Sequence, residues 1–320
     1  MVYFVYCAKE RVILEITNLL IKQIITMVLY MAVGFILFKG KKITKEGSAN
    51  LATLLIWLIV PVVVVKSYCV EPTGERIRAL AISAATTVMC LAAAIAIARL
   101  VYKRHPIEHF GAAFGNAGFF GLPLVGAVFG EEAVFHITTF VALLNSLQWV
   151  YGVAVLKEEK LKPSKSMILN PLVVSLLVGL FLFFTGLGAK LPSLVITTMG
   201  GICSMNAPLA MLVMGVYLAQ ADMKTLWNDK RLYFLSFVRL AVIPLVTLLL
   251  LLPLPIDNTV SLCLLLTASA PVGANVAVYA QLHNKDYVYA TKTVVTSTIL
   301  SLVTMPLTVM LAQWLLGLKG

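Results

Sequence analysis

The sequence predicts an all-α polytopic membrane protein with ten transmembrane helices, arranged as two inverted five-helix repeats with helices 4 and 9 broken. Three observations lead to this class. First, 60% of the 320 residues are hydrophobic, only 12% are charged, and the mean hydropathy is +0.96. Such a chain has more apolar surface than a water-soluble core could bury. Second, ten apolar segments follow one another with short loops between them. Third, two of these segments carry similar interruptions.

The ten segments are identified by length, because a helix needs about 20 apolar residues to cross a bilayer. They lie near residues 14–38, 50–69, 79–102, 110–129, 133–156, 168–188, 194–220, 232–252, 259–282 and 287–316. Five of them precede the basic stretch 157–167 and five follow it. The sequence therefore divides into a first five-helix repeat (1–156), a cytoplasmic linker (157–167) and a second five-helix repeat (168–320). All three belong to one integral membrane unit.

Basic residues in the loops predict the orientation. Fifteen Lys and Arg residues lie at loops that follow odd-numbered segments (odd loops), and three lie at the even loops. Cytoplasmic loops carry an excess of Lys and Arg, so the odd loops are expected inside the cell and both termini outside. Five helices per half then give the second half the opposite orientation. The odd-loop residues are Lys39, Lys41, Lys42, Lys45, Arg99, Lys103, Arg104, Lys157, Lys160, Lys162, Lys165, Lys224, Lys230, Arg231 and Lys285; the even-loop residues are Arg76, Arg78 and Lys190.

The composition also excludes several classes of protein. A net charge of +11 and a pI near 9.4 would suit a nucleic-acid partner. Because the basic residues lie in short loops between apolar segments, the predicted partner is the lipid bilayer of the cell membrane and not nucleic acid. Nucleophile, zinc-protease and ATP-binding motifs are missing, and the five cysteines lack metal-type spacing. No enzyme activity or cofactor is expected, and a homodimer is compatible with the sequence.

The most informative stretch runs from Gly115 to Pro123, at the centre of the fourth segment. It has glycine at every third position and ends in proline. Within a helix, glycine is about 1 kcal/mol and proline about 3 kcal/mol less favourable than alanine. Pro123 also lacks the N–H that a helix requires. Within a membrane, unpaired backbone is tolerated only where protein buries it or where it lines a wet cavity. By itself the stretch indicates either a broken helix at a binding site or a kinked packing helix.

A second interruption at the matching position of the other half favours the broken helix. The ninth segment contains the stretch 269–275, which reads SAPVGAN, and Pro61 in the second segment matches Pro208 in the seventh. Paired interruptions at corresponding positions of two halves are typical of transporter binding sites near the bilayer midplane.

At these residues the chain resembles the auxin efflux carrier family of membrane transporters. The resemblance covers nearly the whole chain. The matching stretches are Asn116 with Gly121 and Pro123, Asn170-Pro171-Leu172, Ala207-Pro208 to Gly215, Ala270-Pro271 to Asn275, and Met305-Pro306-Leu307. The resemblance implies ten helices with the fourth and ninth broken and crossing, a scaffold domain and elevator-like movement. It also implies transport of organic anions: auxin in plants, and small carboxylates such as malate or malonate in bacteria. Since the long central loop of many plant members is missing, the chain resembles a short prokaryotic member.

The predicted site uses the ends of the broken helices. Gly121 to Pro123 would open one half of the fourth helix, and Gly273 to Asn275 one half of the ninth. Exposed N–H groups and the helix dipole at such starts form an anion site without a basic side chain. The amides of Asn116 and Asn275 are expected either to donate to the anion or to cap the broken backbone. The predicted substrate-binding residues are Asn116, Gly118, Gly121, Pro123, Asn145, Gln148, Arg239, Pro271, Gly273 and Asn275.

Three of these residues allow a second interpretation. Asn145 and Gln148, one turn apart, line the cavity or hydrogen-bond between helices. Arg239 extends to the membrane surface, as long basic side chains near span ends do, or balances a substrate anion. Because no Asp or Glu lies in the middle of a segment, the usual proton carrier of pumps is missing. The predicted function is therefore uniport or efflux of small organic anions by alternating access, with a fixed-pore anion channel as the alternative.

Overall fold

The computed structural model describes residues 2–159, 171–220 and 228–317. Within these ranges the secondary structure is helical, apart from turns and one isolated antiparallel bridge. The helices are α1 (Val2–Lys39), α2 (Lys45–Ser67), α3 (Gly74–Val101), α4 (Pro106–Ala113), α5 (Ala117–Phe129), α6 (Glu131–Lys157), α7 (Pro171–Phe184), α8 (Ser193–Gln220), α9 (Lys230–Leu251), α10 (Asn258–Ala268), α11 (Asn275–Leu282) and α12 (Tyr287–Gly317). Most of the predicted linker 157–167 lies outside the described residues.

Membrane-spanning character follows from the length and composition of the helices. Seven of the described helices are long and apolar enough to cross a bilayer, and α5, α7 and α10 are shorter apolar helices. Large apolar side chains such as Leu100, Phe181 and Leu194 are exposed on the outside of these helices. In a membrane that surface faces lipid instead of water. The prediction of an all-helical, polytopic membrane protein is confirmed.

Polar residues in the loops define where several helices begin. The side chains of Thr44 and Thr73 accept hydrogen bonds from backbone N–H groups in the first turns of α2 and α3. Asp229 and Asp257 do the same for α9 and α10. These caps satisfy N–H groups that have no partner within the helix. The short polar loops therefore fix the ends of the apolar helices.

Prolines within three of the helices do not interrupt them. Pro61, Pro123 and Pro244 each lie two residues after a π turn, at 55–59, 117–121 and 238–242. Proline has no N–H, and its ring clashes with the carbonyl four residues earlier in an α-helix. The wider π turn, with bonds between residues five apart, relieves that clash. Each helix therefore continues past its proline.

The helices pack in two groups. The four-helix group consists of α1, α2, α7 and α8, and the eight-helix group consists of α3–α6 and α9–α12. Within the four-helix group, α1 packs along α8 and α2 packs against both α7 and α8. Contacts between the groups run mainly from α1 to α5 and α12, from α2 and α7 to α6, and from α8 to α5. The interrupted helix pairs α4/α5 and α10/α11 both belong to the eight-helix group.

Two glycines allow α1 and α8 to cross closely. A Cβ atom on Gly34 would overlap the carbonyl oxygen of Leu212, and one on Gly215 would overlap that of Met31. Small residues commonly permit such close approach between membrane helices, where packing and not water exclusion drives association. The α1–α8 crossing therefore has no room for a side chain at either position.

Replacing Gly215 with alanine should lower the apparent unfolding temperature of the detergent-purified protein, because the methyl group forces α8 away from α1. Gly201→Ala in the same helix is the matched control, since a Cβ there meets nothing within 4 Å. We expect it to be neutral or stabilising by up to about 1 kcal/mol, the helix preference of alanine over glycine. Equal thermal unfolding of the two variants would contradict the close crossing.

Candidate functional site

The two helix interruptions lie against each other. Helix α4 ends at Ala113 and α5 begins at Ala117, while α10 ends at Ala268 and α11 begins at Asn275. Between them, Gly115 and Val272 form an antiparallel bridge. The Asn116 N–H donates to the Pro271 carbonyl at 2.7 Å, and the Gly273 N–H donates to the Phe114 carbonyl at 3.0 Å. The two breaks therefore satisfy part of each other's backbone, as hydrocarbon surroundings require.

The first break is located differently from the prediction. Gly121 to Pro123 were expected to open the second half of the interrupted helix, but that half begins at Ala117 and includes them. The prediction was wrong because the π turn 117–121 accommodates Pro123 within the helix. The break lies instead at residues 114–116, directly before the turn. In the other half, the helix resumes at Asn275, within the predicted stretch Gly273 to Asn275.

Arg239 connects the C-terminal ends of both interrupted helices. Its side chain is 2% exposed, and three of its nitrogens donate to backbone carbonyls. The partners are Ala112 in α4 at 3.3 Å, Ala268 in α10 at 2.6 Å and Ala270 in the second break at 2.9 Å. Gly115 is required beside it, since a Cβ there would overlap the guanidinium. One of the two interpretations of Arg239, a side chain that extends to the membrane surface, is therefore wrong.

The charge of Arg239 matches the two helix ends that it contacts. The C-terminus of a helix carries roughly −0.5 elementary charge, so two such ends together carry about −1. One guanidinium compensates this charge and satisfies carbonyls that have no partner within their helices. A small cavity lies nearby, at the N-terminal ends of α5 and α11, and Arg239 is not among the described residues that line it. Its positive charge is thus used at the C-terminal ends and is not directed at the cavity.

A small cavity lies beside the breaks, at the N-terminal ends of α5 and α11. Its volume is about 30 Å³, enough for about two water molecules. The four-helix group contributes apolar side chains, and the eight-helix group contributes backbone, amides and the apolar side chains of Phe119 and Leu144. The lining residues are Ile56, Val60, Gly115, Asn116, Ala117, Gly118, Phe119, Leu144, Asn145, Gln148, Leu172, Gly273, Ala274 and Asn275.

Three amide side chains meet in this cavity. The Nδ2 of Asn275 donates to Oε1 of Gln148 at 2.7 Å and reaches Oδ1 of Asn145 at 3.5 Å. Asn145 also donates to the Val141 carbonyl one turn earlier in α6. Gln148 begins a π turn in α6, a feature frequent at functional sites. Asn145 and Gln148 therefore line the cavity and also hydrogen-bond between helices, so the two interpretations of these residues apply together.

Neither Asn116 nor Asn275 uses its side chain as a helix cap. Asn116 occupies the N-cap position of α5 without a side-chain cap bond, and its Nδ2 is 3.8 Å from the sulfur of Met214. Asn275 follows the N-cap residue Ala274, and its amide points to α6. A sulfur atom is a weak acceptor. The Asn116 amide is therefore available for a stronger acceptor in the cavity.

The predicted site residues separate into two sets. Asn116, Gly118, Asn145, Gln148, Gly273 and Asn275 line the cavity together. The other predicted residues lie elsewhere. Gly121 packs against Thr267, Pro123 lines a cleft of about 840 Å³ that also contains Lys66 and Asn206, Pro271 offers its carbonyl to Asn116, and Arg239 binds the helix ends.

Sequence reasoning missed a buried carboxylate, Glu108. It lies in the first turn of α4, just before the predicted fourth segment, and is 3% exposed. Its Oε1 accepts hydrogen bonds from the Arg231 guanidinium and, at 3.2 Å, from the Tyr289 hydroxyl. These contacts join α4 to α9 and α12. The position after His105-Pro106, at the start of an apolar helix, was the only signal in the sequence.

The fold and this site together define a class of protein. Multi-pass helices with two interruptions that meet at an amide-lined cavity are a transporter architecture. The family model described as membrane transport protein matches the chain twice, over residues 19–167 and 160–309. The chain belongs to this family, the auxin efflux carrier type of membrane transporters. No individual curated protein matches the chain.

Proposed function

We propose that the protein is a secondary transporter of small organic anions, which bind between the paired helix breaks and cross the membrane by alternating access. One observation carries the proposal: the N-terminal ends of α5 and α11 meet at the amide-lined cavity, while Arg239 compensates the C-terminal ends. The membrane-transporter class follows from the family. Substrate class and mechanism are the proposed part.

Charge and hydrogen-bond donors favour an anion in the cavity. Two helix N-termini together supply about one positive charge and several N–H groups without intrahelical partners. The lining residues include no carboxylate among those described. Asn116 adds a donor, and a carboxylate that displaced the Asn275–Gln148 bond would gain donors from both amides. A small organic anion would thus be held by backbone and amide N–H groups.

The arrangement of the helices supports ten spans in two inverted halves. We infer that α4/α5 and α10/α11 each form one broken span, which with the other eight helices gives ten. The four-helix group then contains the first two spans of each half, α1 and α2 with α7 and α8. The two consecutive family matches, 19–167 and 160–309, support the same division. An internal repeat of this kind is typical of secondary transporters.

The position and size of the cavity support alternating access. The cavity lies between the two groups, with Ile56, Val60 and Leu172 on the four-helix side. We propose that the four-helix group is the scaffold and that the eight-helix group moves against it. At about 30 Å³ the cavity has room for little more than water. The 840 Å³ cleft toward the even loops shares no lining residue with it among the described ones.

The alternative is an anion channel with a fixed pore through the same breaks. A fixed pore needs a continuous wet path, which a cavity of about 30 Å³ does not favour. Turnover separates the two functions, because rocking steps take microseconds to milliseconds. Anion flux per protein molecule can be measured in proteoliposomes. A flux that is orders of magnitude faster than one anion per such step would favour the channel.

A thermal-shift screen against mono- and dicarboxylates tests the proposed ligand class. A ligand that binds only the native state increases the free energy of unfolding, by about 2.7 kcal/mol when its concentration is a hundred times its Kd. The apparent unfolding temperature then rises. We expect at least one small carboxylate to stabilise the purified protein and organic cations of equal size to have no effect. Stabilisation by cations alone would contradict an anion site.

The proposed topology places both termini outside the cell membrane and the odd loops inside. Lys42 follows α1 and Lys190 lies between α7 and α8, and both are exposed. On a cysteine-free background, an impermeant thiol reagent added from outside should label Lys190→Cys and not Lys42→Cys. Permeabilised cells serve as the control, because both cysteines should then react. The opposite pattern in intact cells would reverse the assigned orientation.

We expect uniport, in which the charged substrate moves alone along the membrane potential. The cavity has no carboxylate among its described lining residues, and Glu108 is compensated by Arg231. Outward movement of one negative charge across 100 mV, inside negative, gains about 2.3 kcal/mol. In proteoliposomes, monoanion flux should follow an imposed potential and persist without pH or sodium gradients. Flux that stops without a proton gradient would contradict uniport, and Glu108→Gln would then be the first variant to measure.

A further inference from the structure

A second cleft, separate from the cavity at the breaks, lies at the odd-loop end of the eight-helix group. Its volume is about 430 Å³, within the range of about 300–1,000 Å³ that is usual for small-molecule sites. It is bordered by the end of α3, the start of α4 and the end of α6. Arg99, Lys103 and Arg104 lie on its walls, together with Glu158 and Glu159.

The positive charge of this cleft is not compensated within the described part of the chain. Glu158 pairs with Lys285 at 2.8 Å, and Glu159 pairs with Lys157 at 2.9 Å. The four ion pairs among the described residues include none of the three wall cations. Three positive charges therefore face a cleft whose two acidic residues already have basic partners.

A pair of polar side chains also borders the cleft. His109 of α4 and Tyr151 of α6 lie 2.9 Å apart, Nε2 to hydroxyl oxygen, and both are lining residues. When Nε2 carries the proton and donates to Tyr151, the tyrosine hydroxyl can donate to a ligand oxygen. The cleft thus combines three cations with a neutral hydroxyl donor. This set suits the several acceptor oxygens of a phosphate group.

Apolar surface continues directly from the basic wall. Leu100 and Val101, next to Arg99 on α3, are 83% and 41% exposed, on a helix that is apolar enough to span the membrane. A ligand with a charged head in the cleft could therefore lay a hydrocarbon chain along α3. Basic pockets between membrane helices at the cytoplasmic side are suited to anionic lipid headgroups.

The geometry points to a phosphate-binding site in this cleft, with the phosphate of an anionic lipid headgroup as its ligand. Arg99 and Lys103 bind the phosphate, Tyr151 donates to one of its oxygens, and the acyl chains lie over Leu100. The inference does not depend on the substrate or the direction of transport. A soluble phosphate ester offers the same head chemistry without the chains, and the experiment separates these two sources.

The test measures the affinity of the purified full-length protein for dioctanoyl phosphatidylglycerol below its micelle concentration, with dioctanoyl phosphatidylcholine and glycerol 3-phosphate as comparison probes. We expect phosphatidylglycerol to bind best and its affinity to fall as NaCl is raised. The double variant Arg99→Gln/Lys103→Gln should bind phosphatidylglycerol about thirty-fold more weakly, since each basic residue near such a surface contributes roughly a fivefold effect.

The matched control is Arg78→Gln/Lys190→Gln, which also removes two exposed charges but at the even-loop face. It should bind phosphatidylglycerol as the wild type does. If the cleft variant does not fold, Arg104→Gln alone, on an exposed turn residue, should still weaken binding severalfold. Stronger binding of glycerol 3-phosphate than of the lipid would keep the phosphate site and assign it to a soluble ligand. Equal lipid affinity in wild type and folded cleft variants, or no binding of any probe to wild type, would overturn the proposal.

Discussion

Replacing Arg239 with methionine should destabilise the protein more than any other single substitution at the site. The change leaves three buried carbonyls without their donor and two helix C-termini without a compensating charge. Hydrogen bonds to charged groups contribute about 1.5–3 kcal/mol each, so we expect a loss of at least about 3 kcal/mol. The apparent unfolding temperature in detergent should fall by roughly 5–10 °C.

Arg239→Lys separates the effect of charge from that of hydrogen-bond geometry. Lysine keeps the positive charge but cannot present the planar fork that reaches three carbonyls at once. It should therefore recover part of the stability and not all of it. Arg78→Gln, at an exposed position of α3, is the control and should unfold like the wild type. If Arg239→Met kept its thermal stability and lost only anion affinity, Arg239 would be a substrate ligand, and the compensating role would be wrong.

Composition and periodicity determine most of the fold, because the membrane imposes simple rules. An apolar helix must be long enough to cross the bilayer, and its backbone must be satisfied within the protein. Glycine and proline in the fourth and ninth segments therefore indicated where the backbone is interrupted. The exact residues of the first break could not be predicted, since a π turn lets α5 continue through Pro123. Proline alone does not predict such a turn, since Pro306 lies within α12 without one.

The site was less predictable than the fold, for reasons of distance along the chain. Asn145 and Gln148 could be identified as polar residues in an apolar helix, but their contact with Asn275 joins residues about 130 positions apart. Arg239 was recognisable as a basic residue in a span, yet its three partners lie in two other segments. Glu108 escaped notice because its burial depends on Arg231 and Tyr289. Residue type thus predicts candidates, and only the packing assigns their partners.

Replacing Asn275 with alanine should weaken substrate binding about ten- to a hundred-fold while the protein still inserts and folds. The side chain makes its hydrogen bonds to other amides in the cavity and not to the helix backbone, so its removal leaves the start of α11 unchanged. A hydrogen bond to a charged ligand contributes about 1.5–3 kcal/mol, which corresponds to that loss of affinity. Asn116→Ala should have a similar effect, because the acceptor of its amide among the described residues is the weakly accepting sulfur of Met214.

Asn206→Ala is the matched control for both variants. Asn206 is 4% exposed, similar to the 6% of Asn116, and it lines the 840 Å³ cleft instead of the cavity at the breaks. Its Oδ1 has no hydrogen-bond partner in the described structure, so its removal should leave substrate affinity unchanged. Affinity would be measured by thermal shift or calorimetry with the carboxylate that the screen identifies. If Asn116→Ala and Asn275→Ala bind that carboxylate as tightly as the wild type does, the amides are structural and the substrate lies elsewhere. Weaker binding by Asn206→Ala would then place the substrate in the larger cleft, which Asn206 lines.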